Sequence, residues 1–172
     1  AGGSIGSELA RQMSRLGCAE LSLLDSSELN LLQVFEPLAA DPQACPMRDV
    51  LCDIRDRRRL DTWFAALKPD HVFHVAALKH VHLVERHPME GVLTNLVGAA
   101  NVAEAARSVG ASGFTFISSD KAVAPVSVMG ATKRLGEAYV RTLEEQRLAG
   151  LSRMRSVAVR CSAVLTASTG TR

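Results

Sequence analysis

Apolar positions along the chain alternate between two rhythms, a helical spacing of three and four residues and short runs bounded by turn residues, and the exchange continues from end to end. That order predicts a doubly wound α/β domain, in which helices cross over between strands of one parallel sheet. Leu9, Met13 and Leu16 fall on one helical face, and Gly17 closes that helix as a left-handed cap. Residues 20–25, ELSLLD, read as a buried strand. Ser26 or Ser27 can cap the next helix, whose inward stripe is Leu31, Leu32, Phe35 and Leu38. Residues 50–54 make a short strand, and Leu60, Phe64 and Leu67 mark a helix that Pro69 ends.

Residues 71–77, HVFHVAA, form the next strand. After a polar turn and a short helix, Pro88 opens a long helix through Val92, Leu96, Ala99, Ala103 and Ala106 to Gly110. Residues 113–119 are a strand, the helix holding Met129 and Lys133 runs to about residue 149, and residues 157–165 are a final strand. The expectation is one domain over 1–165 with a mobile tail over 166–172. A helix starting near residue 4 normally follows a strand and a glycine turn, so this domain is expected to lack its first strand.

A length of 172 residues, 47% of them hydrophobic, suits one well-cored domain. A net charge of +2 is too mild to imply a nucleic-acid partner. Arg55, Arg57, Arg58 and Arg59 alternate with Asp53, Asp56 and Asp61, the composition of a solvated helix start. Four cysteines without a CxxC pair fit a reduced, cytoplasmic setting. No apolar run is long enough for a membrane span, so this segment is expected to be soluble. His71, His74, His80, His82 and His87 cluster in sequence, but His71 and His74 point to opposite strand faces and nothing completes a ligand set, so no metal is expected. Lys79 and His80 follow a strand end directly and are candidate site-liners.

Ala1, Gly2, Gly3, Ser4, Ile5 and Gly6 match the second half of a dinucleotide fingerprint, where glycines let backbone approach a pyrophosphate at a helix N-terminus. A flexible chain start would read the same way. Asp25 lies 19 residues after Gly6 at a strand end, placed for adenosine ribose hydroxyls or for capping the next helix. Asp53 and Ile54 close the following strand, near an adenine or as a turn. Ala76 and Ala77 leave room for a cofactor or are small core residues. Met129 and Lys133 share a helix face beside Ser119, where a lysine can bind nicotinamide-ribose hydroxyls and lower a nearby hydroxyl's pKa. Asp120 and Lys121 are an adjacent acid and base, suited to an elimination or to a plain turn.

GGSIGSEL, LLDSSE, HVAALKHVHLVE, TNLVGAANVAEAA and ISSDKAVAPVSVMGATKR closely resemble the extended short-chain dehydrogenase/reductase family, and within it the polysaccharide-biosynthesis dehydratases that act on UDP-N-acetylglucosamine. The resemblance implies a Rossmann-like fold lacking its C-terminal substrate lobe, and NAD or NADP as cofactor. Gly2, Gly3, Ser4, Ile5 and Gly6 would line the pyrophosphate, Asp25, Asp53 and Ile54 the adenosine half, and Ala76, Ala77, Lys79 and Asn95 the region near the active site. Ser119 and Lys133 match triad residues, and Asp120 and Lys121 the acid and base of dehydration. Most members carry tyrosine where this chain has Met129; a thioether has no proton to exchange. Asp120, Lys121 or a water held by Ser119 then has to take the proton from the sugar's 4-hydroxyl. The implied reaction moves hydride from carbon 4 to the cofactor, eliminates water across carbons 5 and 6, and returns the hydride to carbon 6. The resemblance also implies a homo-oligomer through the helix over 88–110, a UDP-sugar substrate, and a membrane anchor only upstream in a longer parent. The epimerases, which share the oxidation at carbon 4, and a non-catalytic dinucleotide-binding module are the alternatives. Cys161, Ser162 and Ala163 after Arg160 depart from the family's usual Phe-Gly-Asn.

Overall fold

The computed structural model describes residues 1–161. It holds α1 (Ser4–Met13), β1 (Leu21–Asp25), α2 (Glu28–Ala39), β2 (Met47–Leu51), α3 (Arg57–Leu67), β3 (His71–His74) and α4 (Val81–Arg86). Then α5 (Pro88–Val92) passes through a π-helical segment (Leu93–Gly98) into α6 (Ala99–Ser108), followed by β4 (Gly113–Ser119), a 3-10 turn (Asp120–Ala122), α7 (Val128–Leu148) and β5 (Arg155–Cys161).

Every strand pair is parallel, as the alternation of helices and strands predicts. The single sheet, however, is two: β1 pairs with β2, and β4 sits between β3 and β5. No ladder joins β1 to β3 among the described residues; instead the Ala1 nitrogen donates to the Leu24 carbonyl at 2.6 Å, at the end of β1. The remainder of the expected strand over 157–165 and the tail over 166–172 lie outside the described residues.

The larger core packs α3, α6 and α7 on the β3–β4–β5 sheet, with Leu60, Phe64, Ala103, Ala106, Phe114, Phe116, Val140 and Leu143 at its centre. Burying these side chains stabilises the domain at roughly 25 cal/mol per Å² of apolar surface. A smaller core of Ala10, Leu23, Leu31, Val34 and Leu38 seats α1 and α2 against β1. The small residues of α6 let it lie close to α3 and the sheet, and Gly136 does the same for α7: a Cβ there would meet Phe116 at 2.6 Å.

Several boundaries and faces differ from the sequence expectation, each for a local reason. Leu16 is exposed because α1 ends at Met13 and Gly17 closes a turn beyond it; the inward face is Gly6, Ala10 and Ser14. In α2 the buried stripe runs through Val34, while Leu32 is exposed. Pairing of Met47 with Leu21 draws β2 towards the N-terminus, so Asp53 and Ile54 stand in the turn after it. The expected strand over 71–77 stops at His74. Beyond it, both backbone groups of Leu78 are taken by Asn95, whose Oδ1 accepts from the Leu78 amide at 2.8 Å and whose Nδ2 donates to the Leu78 carbonyl at 3.1 Å. The same Nδ2 donates to Thr132 Oγ1 at 3.1 Å. The expected single helix over 88–110 is interrupted by the π-helical segment holding Asn95, and Gly91, Asn95 and Gly98 are its buried positions ahead of α6.

Gly136→Ala is expected to lose about 1–2 kcal/mol in urea unfolding, because crowding of Phe116 outweighs the gain in helix propensity. A second expectation concerns His74, which stacks between Phe114 and Phe116 with Nε2 unbonded. Burial, then the Lys133 ammonium and the chain's amino terminus, push its pKa down to about 3. The fold therefore prefers the neutral ring, and the stability this confers is complete above pH 6.5 and is lost as pH falls from there towards 3. Acid titrations of stability should show His74→Leu with a shallower slope than the natural chain across that window, by up to about 1.4 kcal/mol per pH unit.

Candidate functional site

A cleft of about 880 Å³ opens at the carboxyl ends of β1, β3, β4 and β5, which is where open parallel sheets place ligands. At one end stands the start of α1. Its N-cap, Gly3, is extended and makes no side-chain cap, so the first amides of a ten-residue helix are not met by a capping side chain. A Cβ on Gly3 would meet nothing within 4 Å, whereas Gly2 packs against the Asn30 backbone and Gly6 against Ala1. Gly3, Ser4, Ile5 and Gly6 line the cleft. Gly2 does not; its amide is spent on Asp25 Oδ2 at 2.8 Å. These features fit a pyrophosphate at the helix start.

Asp25 lines the cleft and is also a structural hub. Its Oδ2 accepts from the Ala1 nitrogen as well as Gly2, and its Oδ1 accepts from the Ser27 amide at 2.9 Å. Burial works against its ionisation, but these bonds outweigh it and hold the carboxyl below its usual range. The cap of α2 itself is Ser27, which accepts from the Asn30 amide. Asp53 and Ile54 reach the same wall from the turn after β2. Arg55 donates to Asp53 Oδ2 from two nitrogens at 2.7 and 2.9 Å and to Glu90 at 2.8 Å, so it straddles the mouth between that turn and α5. The Arg55 guanidinium holds the Asp53 carboxyl below its ordinary range. Among the other arginines of this run, Arg57 pairs with Asp61 at the solvated start of α3.

At the other end, Ser119 closes β4, its Oγ buried and without a hydrogen-bond partner among the described residues. Asp120 and Lys121 follow in the 3-10 turn, both exposed, with Lys121 Nζ 3.4 Å from Asp120 Oδ1. This turn lies close against α7: a Cβ on Gly130 would come within 2.5 Å of the Lys121 carbonyl. The start of α7 is also held by Glu85 of α4, which accepts from the Val128 amide at 2.6 Å. Met129 is buried in the first turn of α7, and Lys133 one turn on is 6% exposed. Lys133 Nζ donates to the Ile117 carbonyl at 2.8 Å and lies 4.8 Å from the Phe116 ring centroid. Burial pulls its pKa down to about 8, against the opposing pull of Cys161 and Glu137. Glu137, one turn further, is clamped by Arg160 of β5 through two bonds of 2.7 Å, so the carboxylate that faces Lys133 cannot swing away freely.

Ala76, Ala77 and Lys79 line the middle of the cleft in the segment after β3, and Lys79 Nζ reaches Ser4 Oγ at 3.5 Å. Asn95 is fully buried and braces Leu78, which borders the cleft, and Thr132, the neighbour of Lys133. The cleft thus gathers all the expected residues except Gly2 and Asn95. Thr94, Glu90, Cys161 and Ser118 also border it and had no sequence signal of their own beyond Cys161 replacing the family's aromatic. Among the described residues no group of three or more His, Cys, Asp or Glu could hold a metal ion, and no helix is long and apolar enough to cross a membrane.

A family model described as polysaccharide biosynthesis protein matches residues 1–171. The probable polysaccharide biosynthesis protein EpsC of Bacillus subtilis (strain 168) is 41% identical over 166 residues, 96% of this chain and 27% of EpsC. A UDP-N-acetylglucosamine 4,6-dehydratase (inverting) of Campylobacter jejuni subsp. jejuni serotype O:2 is 42% identical over 103 residues, 59% of this chain and 30% of that enzyme. The X-ray structure of Pen from Bacillus thuringiensis superposes with a TM-score of 0.82 at 30% identity, covering 92% of this chain and 47% of Pen. The chain therefore spans about a quarter of the length of EpsC and about half of Pen. With the match to the family model running over nearly its whole length, the chain belongs to the polysaccharide biosynthesis protein family.

Proposed function

We propose that this chain is the dinucleotide-binding and catalytic core of a nucleotide-sugar 4,6-dehydratase, acting on UDP-N-acetylglucosamine in its full-length parent. The observation that carries the reading is one cleft with the glycine turn and Asp25 at one end and Ser119, Asp120, Lys121, Met129 and Lys133 at the other. The match to the Campylobacter jejuni dehydratase supports the substrate class.

NAD or NADP, bound with its pyrophosphate at the start of α1, would supply a hydride acceptor that is restored in each cycle. Asp25 would take the adenosine ribose hydroxyls and disfavour a 2′-phosphate by charge repulsion. Lys133 would hold the nicotinamide ribose, and its buried charge would lower the pKa of the sugar's 4-hydroxyl. Met129 keeps water from Lys133 but cannot move a proton. Proton removal then falls to Asp120, Lys121 or a water held by the unpartnered Ser119 hydroxyl. Asp120 and Lys121, side by side and open to the cleft, supply the acid and base for loss of water across carbons 5 and 6. Met89, Leu93 and Val97, exposed along one face of the long helix, support assembly with a second copy.

Incubating the full-length parent with UDP-N-acetylglucosamine and reading product by mass spectrometry should show loss of one water. A product of unchanged mass but altered stereochemistry would instead mark an epimerase, and dinucleotide binding with no turnover a binding module. In the active parent, Lys121→Ala and Lys133→Ala should each lower kcat by at least about a hundredfold, the scale of a lost acid or base. Asp25→Ala should narrow the preference between NAD and NADP in equilibrium binding, chiefly by raising affinity for NADP.

A further inference from the structure

Away from the cleft, two thiol side chains that are 27 positions apart in sequence meet sulfur to sulfur. Cys18, in the turn after α1, and Cys45, in the loop before β2, have their Sγ atoms 2.8 Å apart. Both are half-buried and neither lies in the catalytic cleft. The approach is held by the backbone around it. The Cys45 amide donates to the Ser14 carbonyl at 2.7 Å, Arg15 pairs with Asp41 at 2.7 Å, and Cys18 Sγ lies 3.7 Å from the Met13 carbonyl. The first two contacts tie the end of α1 to the loop after α2, and the third seats Cys18 against the end of α1. The other two cysteines are placed apart from this pair, Cys52 in the larger core and Cys161 on the cleft wall.

We propose that Cys18 and Cys45 form a dithiol site that a small-molecule disulfide, of which glutathione disulfide is the probe, converts to an intramolecular disulfide. One cysteine, having given its proton to solvent, attacks a sulfur of the oxidant, breaking the oxidant's S–S bond and releasing one thiolate, which takes up a proton. The second cysteine then loses its proton and attacks the resulting mixed disulfide at the protein sulfur, releasing the second thiol. The two cysteines are oxidised by two electrons, and one disulfide is reduced to two thiols. The protein bond closes a loop over residues 18–45 and restrains the unfolded chain, so it stabilises the fold and fastens the trailing end of the helix whose leading end carries Gly3 and Ser4.

Trypsin reads this directly, because no Lys or Arg lies between Arg15 and Arg48: the peptide over 16–48 holds Cys18 and Cys45 and neither of the others. After the folded chain is treated with glutathione disulfide, then unfolded and alkylated, that peptide should be unalkylated and lighter by two hydrogen atoms. The peptides with Cys52 and Cys161 should be alkylated. Thermal unfolding should rise by roughly 5–10 °C and return when dithiothreitol is added. Phenylarsine oxide, which bridges neighbouring thiols, should add once to the same peptide in the reduced chain. Alkylation of both Cys18 and Cys45 after the oxidant, a lasting glutathione adduct on either, or a cross-link to Cys52 or Cys161 would overturn the proposal. The natural chain gives this answer by itself; Cys18→Ser should in addition leave glutathione on Cys45.

Discussion

The bond from Lys133 Nζ to the Ile117 carbonyl is the contact on which the Lys133 end of the cleft depends. An amine this deeply buried needs an acceptor, and in a sheet the acceptors are backbone carbonyls already committed to neighbouring strands. Ile117 can take this donor because a carbonyl oxygen has two lone pairs. That bond acts together with the apolar face of α7, where Val140 and Leu143 enter the core and Gly136 meets Phe116, to set the rotation of the helix. In that rotation Met129 is turned inward and Glu137 comes within reach of Arg160.

The two ends of the cleft are built on different physics. The Lys133 end is made of side chains in a low-dielectric wall, where Lys133 feels Glu137 and Cys161 and its own charge acts on His74. The glycine end is made of main chain: amides at the start of α1, and a carboxylate, Asp25, whose oxygens are engaged by the nitrogens of Ala1, Gly2 and Ser27. The Lys133 end cannot be rearranged without exposing buried charge.

Much of this was legible in the sequence where one principle dominates. The strand over Gly113–Ser119 and the helix after it follow from strong periodicity, and Ser119, Asp120, Lys121, Met129 and Lys133 were placed together because a strand end and the next helix start must be neighbours. The failures share a cause in tertiary contacts. α2 carries apolar residues around more than half its girth, so Leu32 and Val34 compete for the inward face and only packing on β1 decides. β2 is an edge strand with exposed Arg48 and Asp49, and its apolar pattern says less than its pairing with β1. Asn95 was placed near the site by its resemblance to an asparagine of the family's central helix; the partners it bonds, Leu78 and Thr132, are remote in sequence and carry no local signal. Nor could the spacing of Cys18 and Cys45 reveal that the loop between them doubles back.

The π-helical segment over Leu93–Gly98 has a consequence for how this chain can vary. A wide turn of this kind holds one more residue than an ordinary helix, so it behaves as an insertion absorbed without breaking the helix. Removing a single residue there would restore regular winding and leave Ala103 and Ala106 on the core side. The same removal in the regular turns of α6 would rotate everything after it by about 100°, one residue's step around the axis, and carry Ala106 out of the core. The wide turn is therefore the place along this helix where relatives are expected to differ in length by one residue.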